Sequence, residues 1–331
     1  MIACTYEDRA SDFVGLKILT LSLKKYCPDV PLHIFCPNPS DELINWLGGQ
    51  PSATLRNLRL VGRGWNVKPE ILGLLLAEGF EEVVWLDSDI VITKDWRPLV
   101  CNWPPATLVA TQNHPWESLS TPRKKTLAWN LPLGRVPRSN VNSAVTRVTS
   151  SHKELMASWA TLLANNLYLE AQKTWPRPDH LVGDQDVLTA LLGSAGWEQI
   201  EVHLIKQGRD IAHCFLADGY TAGDRLKNAF FGGPAFVHAQ GPKPWRSDLT
   251  PLLKRILDVS SFSLAAAKYG PALGEDYSWM QARTVRGNLL RRLFRGDPHL
   301  TGFAMAFRNQ FKRVGLRTLG RAIMLKLGVS L

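Results

Sequence analysis

The sequence predicts an α/β fold: a mostly parallel sheet flanked by helices, followed by a basic helical C-terminal extension. Three observations carry this. Short apolar segments rich in β-branched residues alternate with segments of helical periodicity through the first hundred residues. One of these segments, Val83-Val84-Trp85-Leu86, ends abruptly in Asp87-Ser88-Asp89, and ligands of open α/β sheets gather where strands leave the sheet. The formal net charge of +10 lies wholly within residues 277–331, which hold eleven Lys or Arg against one acid and leave 28 bases against 28 acids elsewhere.

Taken in order, Met1 to Thr5 reads as a first strand that runs into the polar cluster Thr5-Tyr6-Glu7-Asp8. Phe13, Leu16, Leu19 and Leu23 follow at helical spacing, and Cys27-Pro28 closes that helix. Leu32 to Phe35 is a second strand, stopped by Pro37 and Pro39. A short helix spans Asp41 to Leu47, with Ser40 or Asp41 as its N-cap and Gly48-Gly49 as its stop. Leu58 to Val61 is expected as a third strand, and a helix runs from about Pro69 to Glu78 with Pro in its first turn. After the acidic motif, Leu108 to Thr111 is another strand, and residues 112–139 read as a long polar loop whose Arg123-Lys124-Lys125 cluster faces solvent. Asn142 to Val145 resumes the sheet, Lys153 to Asn165 is a helix, and Gly183-Asp184-Gln185-Asp186 precedes a helical run from Val187 to Leu192. A late strand, Ala235 to Val237, leads into His238-Ala239-Gln240-Gly241-Pro242-Lys243-Pro244-Trp245. The division expected is a catalytic domain over residues 1–260 and a basic extension over 261–331.

A content of 45% hydrophobic and 21% charged residues is that of a folded globular chain. Five scattered cysteines without a CxxC pair read as reduced thiols, and no zinc pattern is present. There is no signal-peptide pattern at Met1 and no run of roughly 18 apolar residues to span a bilayer. With its charge confined to one end, the main domain does not have the character of a nucleic-acid binder. The expected place is the cytoplasm, peripheral to the inner face of the cytoplasmic membrane.

Asp87 and Asp89 would repel each other unless a cation lies between them, and a hard divalent metal favours such oxygen ligands and a substrate diphosphate. The plainer alternative is a strand-end turn whose Asp side chains cap neighbouring amides. His238 also closes an apolar strand, and imidazole readily completes a metal site. Gly241 and Lys243 follow it: glycine lets backbone approach a ligand, and lysine offers a charge that pairs with phosphate.

The strand with Asp-x-Asp, then Asn142-Ser143-Ala144, then Asp184-Gln185-Asp186, then His-x-x-Gly and Lys-Pro-Trp occur in the order seen in family 8 glycosyltransferases, which residues 1 to about 246 resemble. The resemblance implies a GT-A fold, a UDP-sugar donor, Mn²⁺ (or Mg²⁺) and retention of configuration. It implies Asp87, Asp89 and His238 as metal ligands. Thr5, Tyr6 and Asp8 would hold uracil and ribose. Lys68, Ser88 and Gly241 would face the donor, and Lys243 would pair with its diphosphate. Asn142 and Ser143 would line the sugar pocket, with Asp184 and Gln185 beside the reactive carbon. Three departures mark a divergent member: one residue between Gly241 and Lys243 where two are usual, Ala144 where the family has glycine, and Lys68 where arginine is common.

Two other functions fit parts of the pattern. Asp87-Ser88-Asp89-Ile90-Val91 also matches the motif of haloacid-dehalogenase-type phosphatases, which place it on their first strand. A nucleotide-sugar-binding scaffold without turnover would keep the same residues. In the extension, Phe303, Phe307 and Phe311 repeat at helical spacing, with Arg313, Arg317 and Arg321 on another face. Such a helix suits an anionic membrane surface, the alternative being a helix packed on the domain. The partners expected are a UDP-sugar, a glycan or glycolipid acceptor and an anionic membrane engaged through residues 277–331.

Overall fold

The computed structural model describes residues 1–58, 60–62, 64–113, 120–214, 223, 227, 230, 232–250 and 260–273. Seven strands make the main sheet: β1 (Ile2–Tyr6), β2 (Leu32–Phe35), β3 (Ala53–Arg56), β4 (Glu82–Leu86), β6 (Leu108–Gln112), β7 (Val141–Thr149) and β8 (Val202–Ile205). Their order is β3-β2-β1-β4-β7-β6-β8. β7 runs against β4 and β6, and the other pairings are parallel. A second sheet, in the order β5-β10-β9, joins β5 (Ile90–Ile92), β9 (Ile211–His213) and β10 (Phe236–His238).

Period-two alternation sorts the strand residues into two cores. Ile2, Cys4, Val83 and Trp85 face α3 (Lys68–Ala77), α6 (Lys153–Leu163) and α8 (Asp184–Leu192), meeting Leu72, Leu75, Trp159 and Leu188. Ala3, Val84 and Leu86 face the opposite way, toward Leu16 and Leu19 of α1 (Phe13–Tyr26) and Leu43 of α2 (Asp41–Gly48). The Ser40 hydroxyl caps α2 by accepting from the Leu43 amide at 3.2 Å. Shorter helices complete the body: α4 (Arg97–Val100), α5 (Ser120–Ala128), α7 (Asn166–Ala171), α9 (Ser261–Ala266) and α10 (Gly270–Leu273).

The structure corrects several expectations. The third strand is Ala53–Arg56, not Leu58 to Val61. The amides of Val61 and Gly62 donate to the Glu70 carboxylate, so they are turned away from the sheet. The loop over 112–139 contains α5, which packs on α8. Lys125 of α5 is buried and pairs with Asp186 at 2.6 Å, so the basic cluster is not wholly a solvent face. α8 opens at Asp184, which makes the acidic triplet its first turn. The late strand is shifted by one residue to end on His238 itself.

Within the segment assigned to the extension, Phe262, Ala266, Tyr269 and Leu273 pack against Ile18 of α1, Val91 of β5 and Val237 of β10. The predicted basic amphipathic helix falls in residues 274–331, outside the described residues. Among the described residues no helix is long and apolar enough to cross a membrane.

Candidate functional site

Backbone pairing brings the two acidic and basic strand ends together. The Asp87 amide still donates to the Ala144 carbonyl of β7 at 2.9 Å, and the chain then turns with the Ile90 amide on the Asp87 carbonyl at 3.2 Å. β5 leaves that turn and pairs antiparallel with β10, which sets His238 opposite Ile90. The Ala239 amide donates to the Asp89 carbonyl at 3.0 Å. As a result His238 Nε2 lies 3.2 Å from Asp89 Oδ1 and 3.6 Å from Asp87 Oδ2. One ligand atom from each of the three residues falls within 4.8 Å of the others. Two carboxylate oxygens and an imidazole nitrogen, convergent and with Asp89 and His238 buried, are a donor set that suits a divalent cation.

Two lysines flank this triad. Lys68, buried at the start of α3, reaches Asp87 Oδ1 at 2.9 Å and Asp184 Oδ2 at 3.3 Å, and donates to Ser143 Oγ at 2.7 Å. Ser143 in turn donates to Asp184 Oδ2 at 2.6 Å, and Trp85 Nε1 donates to Asp87 Oδ1 at 2.7 Å. Lys68 thus joins a carboxylate of the triad to the carboxylate at the N-terminus of α8, where the helix dipole favours an anion. Burial opposes its charge, but Asp184 and Asp87 outweigh burial and hold the ammonium pKa above its usual value. Burial moves the Asp184 carboxyl upward against the pull of Lys68. Lys243 donates to Asp89 and to the Ala239 carbonyl, the latter at 2.6 Å. Burial would raise the Asp89 carboxyl, yet Lys243 and His238 hold it well below the carboxylate range.

The end of β1 forms the adjoining wall. Tyr6 donates its hydroxyl hydrogen to Asp8 at 3.1 Å, and the Gly64 amide reaches the same carboxylate at 3.2 Å. Thr5 is buried, and its hydroxyl has no hydrogen-bond partner among the described residues. Ser88 donates to the buried Glu7 carboxylate at 2.7 Å, which ties the acidic turn to β1. Arg9 bonds both oxygens of Glu7 and reaches Asp12 at 3.0 Å, and Trp245 Nε1 donates to Asp12 at 3.0 Å. Asn142 Oδ1 accepts from the Ala144 amide at 2.9 Å and so shapes its own strand. The side chain of Gln185 is partly exposed and makes no hydrogen bond among the described residues. Gly241 has φ 87°, a left-handed conformation that favours glycine.

Asp87, Asp89, His238, Lys68, Ser143, Asp184 and Lys243 therefore form one connected cluster, and Thr5, Tyr6 and Asp8 line the strand end joined to it through Glu7 and Ser88. Sequence reasoning missed Glu7, Arg9 and Asp12, which are neighbours in sequence but meet Ser88 and Trp245 only in the fold. It also missed His213, which closes the strand Ile211–His213 as His238 closes β10.

No family model and no curated protein matches this chain. Solved structures do. The galactosyltransferase LgtC, solved in complex with donor and acceptor sugar analogues, is 18% identical with a TM-score of 0.53, over 86% of this chain and 100% of that one. The bifunctional glycosyltransferase WbbM, in its apo form, is 13% identical with a TM-score of 0.50, over 85% of this chain and 50% of that one. At these identities the likeness establishes the fold: this chain has the GT-A architecture and resembles LgtC.

Proposed function

We propose that this protein is a metal-dependent, retaining glycosyltransferase that moves a hexose from a UDP-sugar to a glycan or glycolipid acceptor. The observation that carries the reading is the convergence of Asp87, Asp89 and His238 at the strand ends of a GT-A fold. These three residues would hold the cation, Mn²⁺ or Mg²⁺. When bound, such a cation neutralises charge that develops on a departing diphosphate.

The chain's own groups account for the remainder. Lys243, beside Asp89, adds a second positive charge at the leaving-group side, and one well-placed electrostatic donor is worth about 3 kcal/mol of barrier. Tyr6, Asp8 and Thr5 offer a polar strand end for the uridine. Asn142, Ser143 and Asp184 orient the sugar, and Gln185 presents beside it a carboxamide that is unengaged among the described residues. Asp184 is bonded to Lys68 and Ser143, which makes it an orienting group in place of a nucleophile. Same-face attack by the acceptor as UDP leaves is the route this arrangement favours. The phosphatase alternative has no use for His238 between the two carboxylates, and its motif belongs on the first strand whereas Asp87 follows β4. Attachment to an anionic membrane through residues 277–331 would bring a lipid-linked acceptor to the site, with the enzyme at the inner face of the cytoplasmic membrane.

The test is a screen of nucleotide sugars for UDP release, with and without Mn²⁺. One UDP-sugar is expected to be turned over in Mn²⁺, and Asp89→Ala to abolish turnover. UDP neither bound nor released under any condition would overturn the reading, and a tightly bound UDP-sugar without turnover would identify a scaffold.

A further inference from the structure

β9 and β10 are parallel neighbours, and their register sets His213 opposite His238. His213 is fully buried, and the two Nδ1 atoms lie 2.9 Å apart with the rings inclined at 74°. Two nitrogens at that distance share one proton, so one is an N–H and the other a lone pair. The far side of His213 decides which. Its Nε2 lies 3.2 Å from the Gln112 carbonyl oxygen, an atom that only accepts, so Nε2 carries a hydrogen. In a neutral imidazole the lone pair then sits on Nδ1, and the shared proton belongs to Nδ1 of His238. That assignment turns Nε2 of His238 toward Asp87 and Asp89, where a bound cation would take the place of the Nε2 proton.

We propose that His213 is a positioning residue: it accepts the Nδ1 proton of His238 while donating to the Gln112 carbonyl, and so fixes the ring and tautomer that present His238 Nε2 to the cation. The proposal rests on the reading of Asp87, Asp89 and His238 as a metal site. It differs from a packing role in its chemistry. A hydrocarbon of similar size would fill the space between β9 and β6, but only an acceptor at the Nδ1 position would hold the tautomer.

Two experiments test it. Mn²⁺ affinity, read from the electron paramagnetic resonance signal of the unbound ion, is compared among wild type, His213→Leu and His213→Asn, with thermal melts to check folding. His213→Leu is expected to weaken binding by roughly 10- to 100-fold, the usual cost of losing the outer partner of a ligating histidine. His213→Asn, whose Oδ1 can take the acceptor's place, is expected to bind nearly as wild type does. Equal affinity in the Leu variant, or equal loss in both variants, would overturn the proposal. If the Leu variant does not fold, the wild type still decides. Long-range ¹H–¹⁵N spectra of the Mg²⁺-loaded and metal-free protein are expected to show His213 protonated at Nε2, with the Nδ1 proton on His238; a His213 protonated at Nδ1 would overturn it. Failure of wild type to bind Mn²⁺ or Mg²⁺ would overturn the metal site itself, a result separate from the tautomers seen in the metal-free spectra.

Discussion

Lys68 and Asp89 illustrate how closely charge is balanced among individual side chains here. Lys68 is buried against Asp87, Asp184 and Ser143, so Lys68→Met would leave two neighbouring carboxylates without their cation. Breaking a buried pair from one side costs about 3–5 kcal/mol, and the urea midpoint of the metal-free protein is expected to fall accordingly, with Lys68→Arg recovering much of the loss. An unchanged midpoint would mean that the cluster is balanced by some other charge. Asp89 supplies a pH dependence whose sign follows from its environment. Its folded pKa is depressed by Lys243 and His238 against the opposing effect of burial, so its stabilisation is present above the unfolded value of about 3.9 and is lost as pH falls below it. In EDTA, wild type is therefore expected to lose stability relative to Asp89→Asn as pH drops from about 5 toward 3. A gap independent of pH across that range would contradict the assignment. The identities of these residues were legible in the sequence because each sits at a strand or helix end. Their pairings with one another were not: Lys243 lies on Asp89, and Ser88 donates to Glu7.

At the scale of elements, the position of the acidic turn depends on how closely α1 can approach it. A Cβ placed on Gly15 would lie 3.1 Å from the Ser88 carbonyl oxygen and 3.0 Å from the Trp245 ring. Gly15→Ala would gain helix propensity of roughly 0.5–1 kcal/mol, yet it would press on the backbone between Asp87 and Asp89. The expected outcome is unchanged helical content with a clear drop in turnover and in Mn²⁺ affinity, measured by circular dichroism and titration; full activity would show that Trp245 yields instead. Burial, by contrast, decides which elements can be read from sequence. β1, β2 and β4 are flanked by other strands and α1 packs its apolar face on the sheet, so their apolar periodicity is strong and they appear where expected. β3 has the weak pattern Ala-Thr-Leu-Arg of a sheet edge, and α5 packs through Lys125 and Thr126, so neither announces itself by hydrophobicity. β5 and β9 are three residues long and owe their existence to pairing with β10.

At the scale of the whole molecule, charge and chemistry occupy different parts of the chain. The clustered site residues lie between Thr5 and Lys243, whereas the net charge of +10 resides in residues 277–331. That separation makes the two halves of the proposed function independently testable. A lysine or arginine close to an anionic surface contributes about 1 kcal/mol of attraction, so a fraction of the eleven bases would suffice for the proposed attachment at micromolar affinity. The full chain is expected to sediment with vesicles containing phosphatidylglycerol and to release from them as salt shortens the Debye length to about 3 Å at 1 M. Truncation at residue 276 is expected to abolish sedimentation while leaving UDP release from the donor intact, because α9 and α10, which cover Ile18, Val91 and Val237, remain in place. Vesicle binding that survives the truncation would place the attachment surface on the neutral domain and sink the membrane role of the extension. Loss of UDP release together with binding would instead show that the extension packs on the catalytic body, the arrangement in which its arginines face solvent.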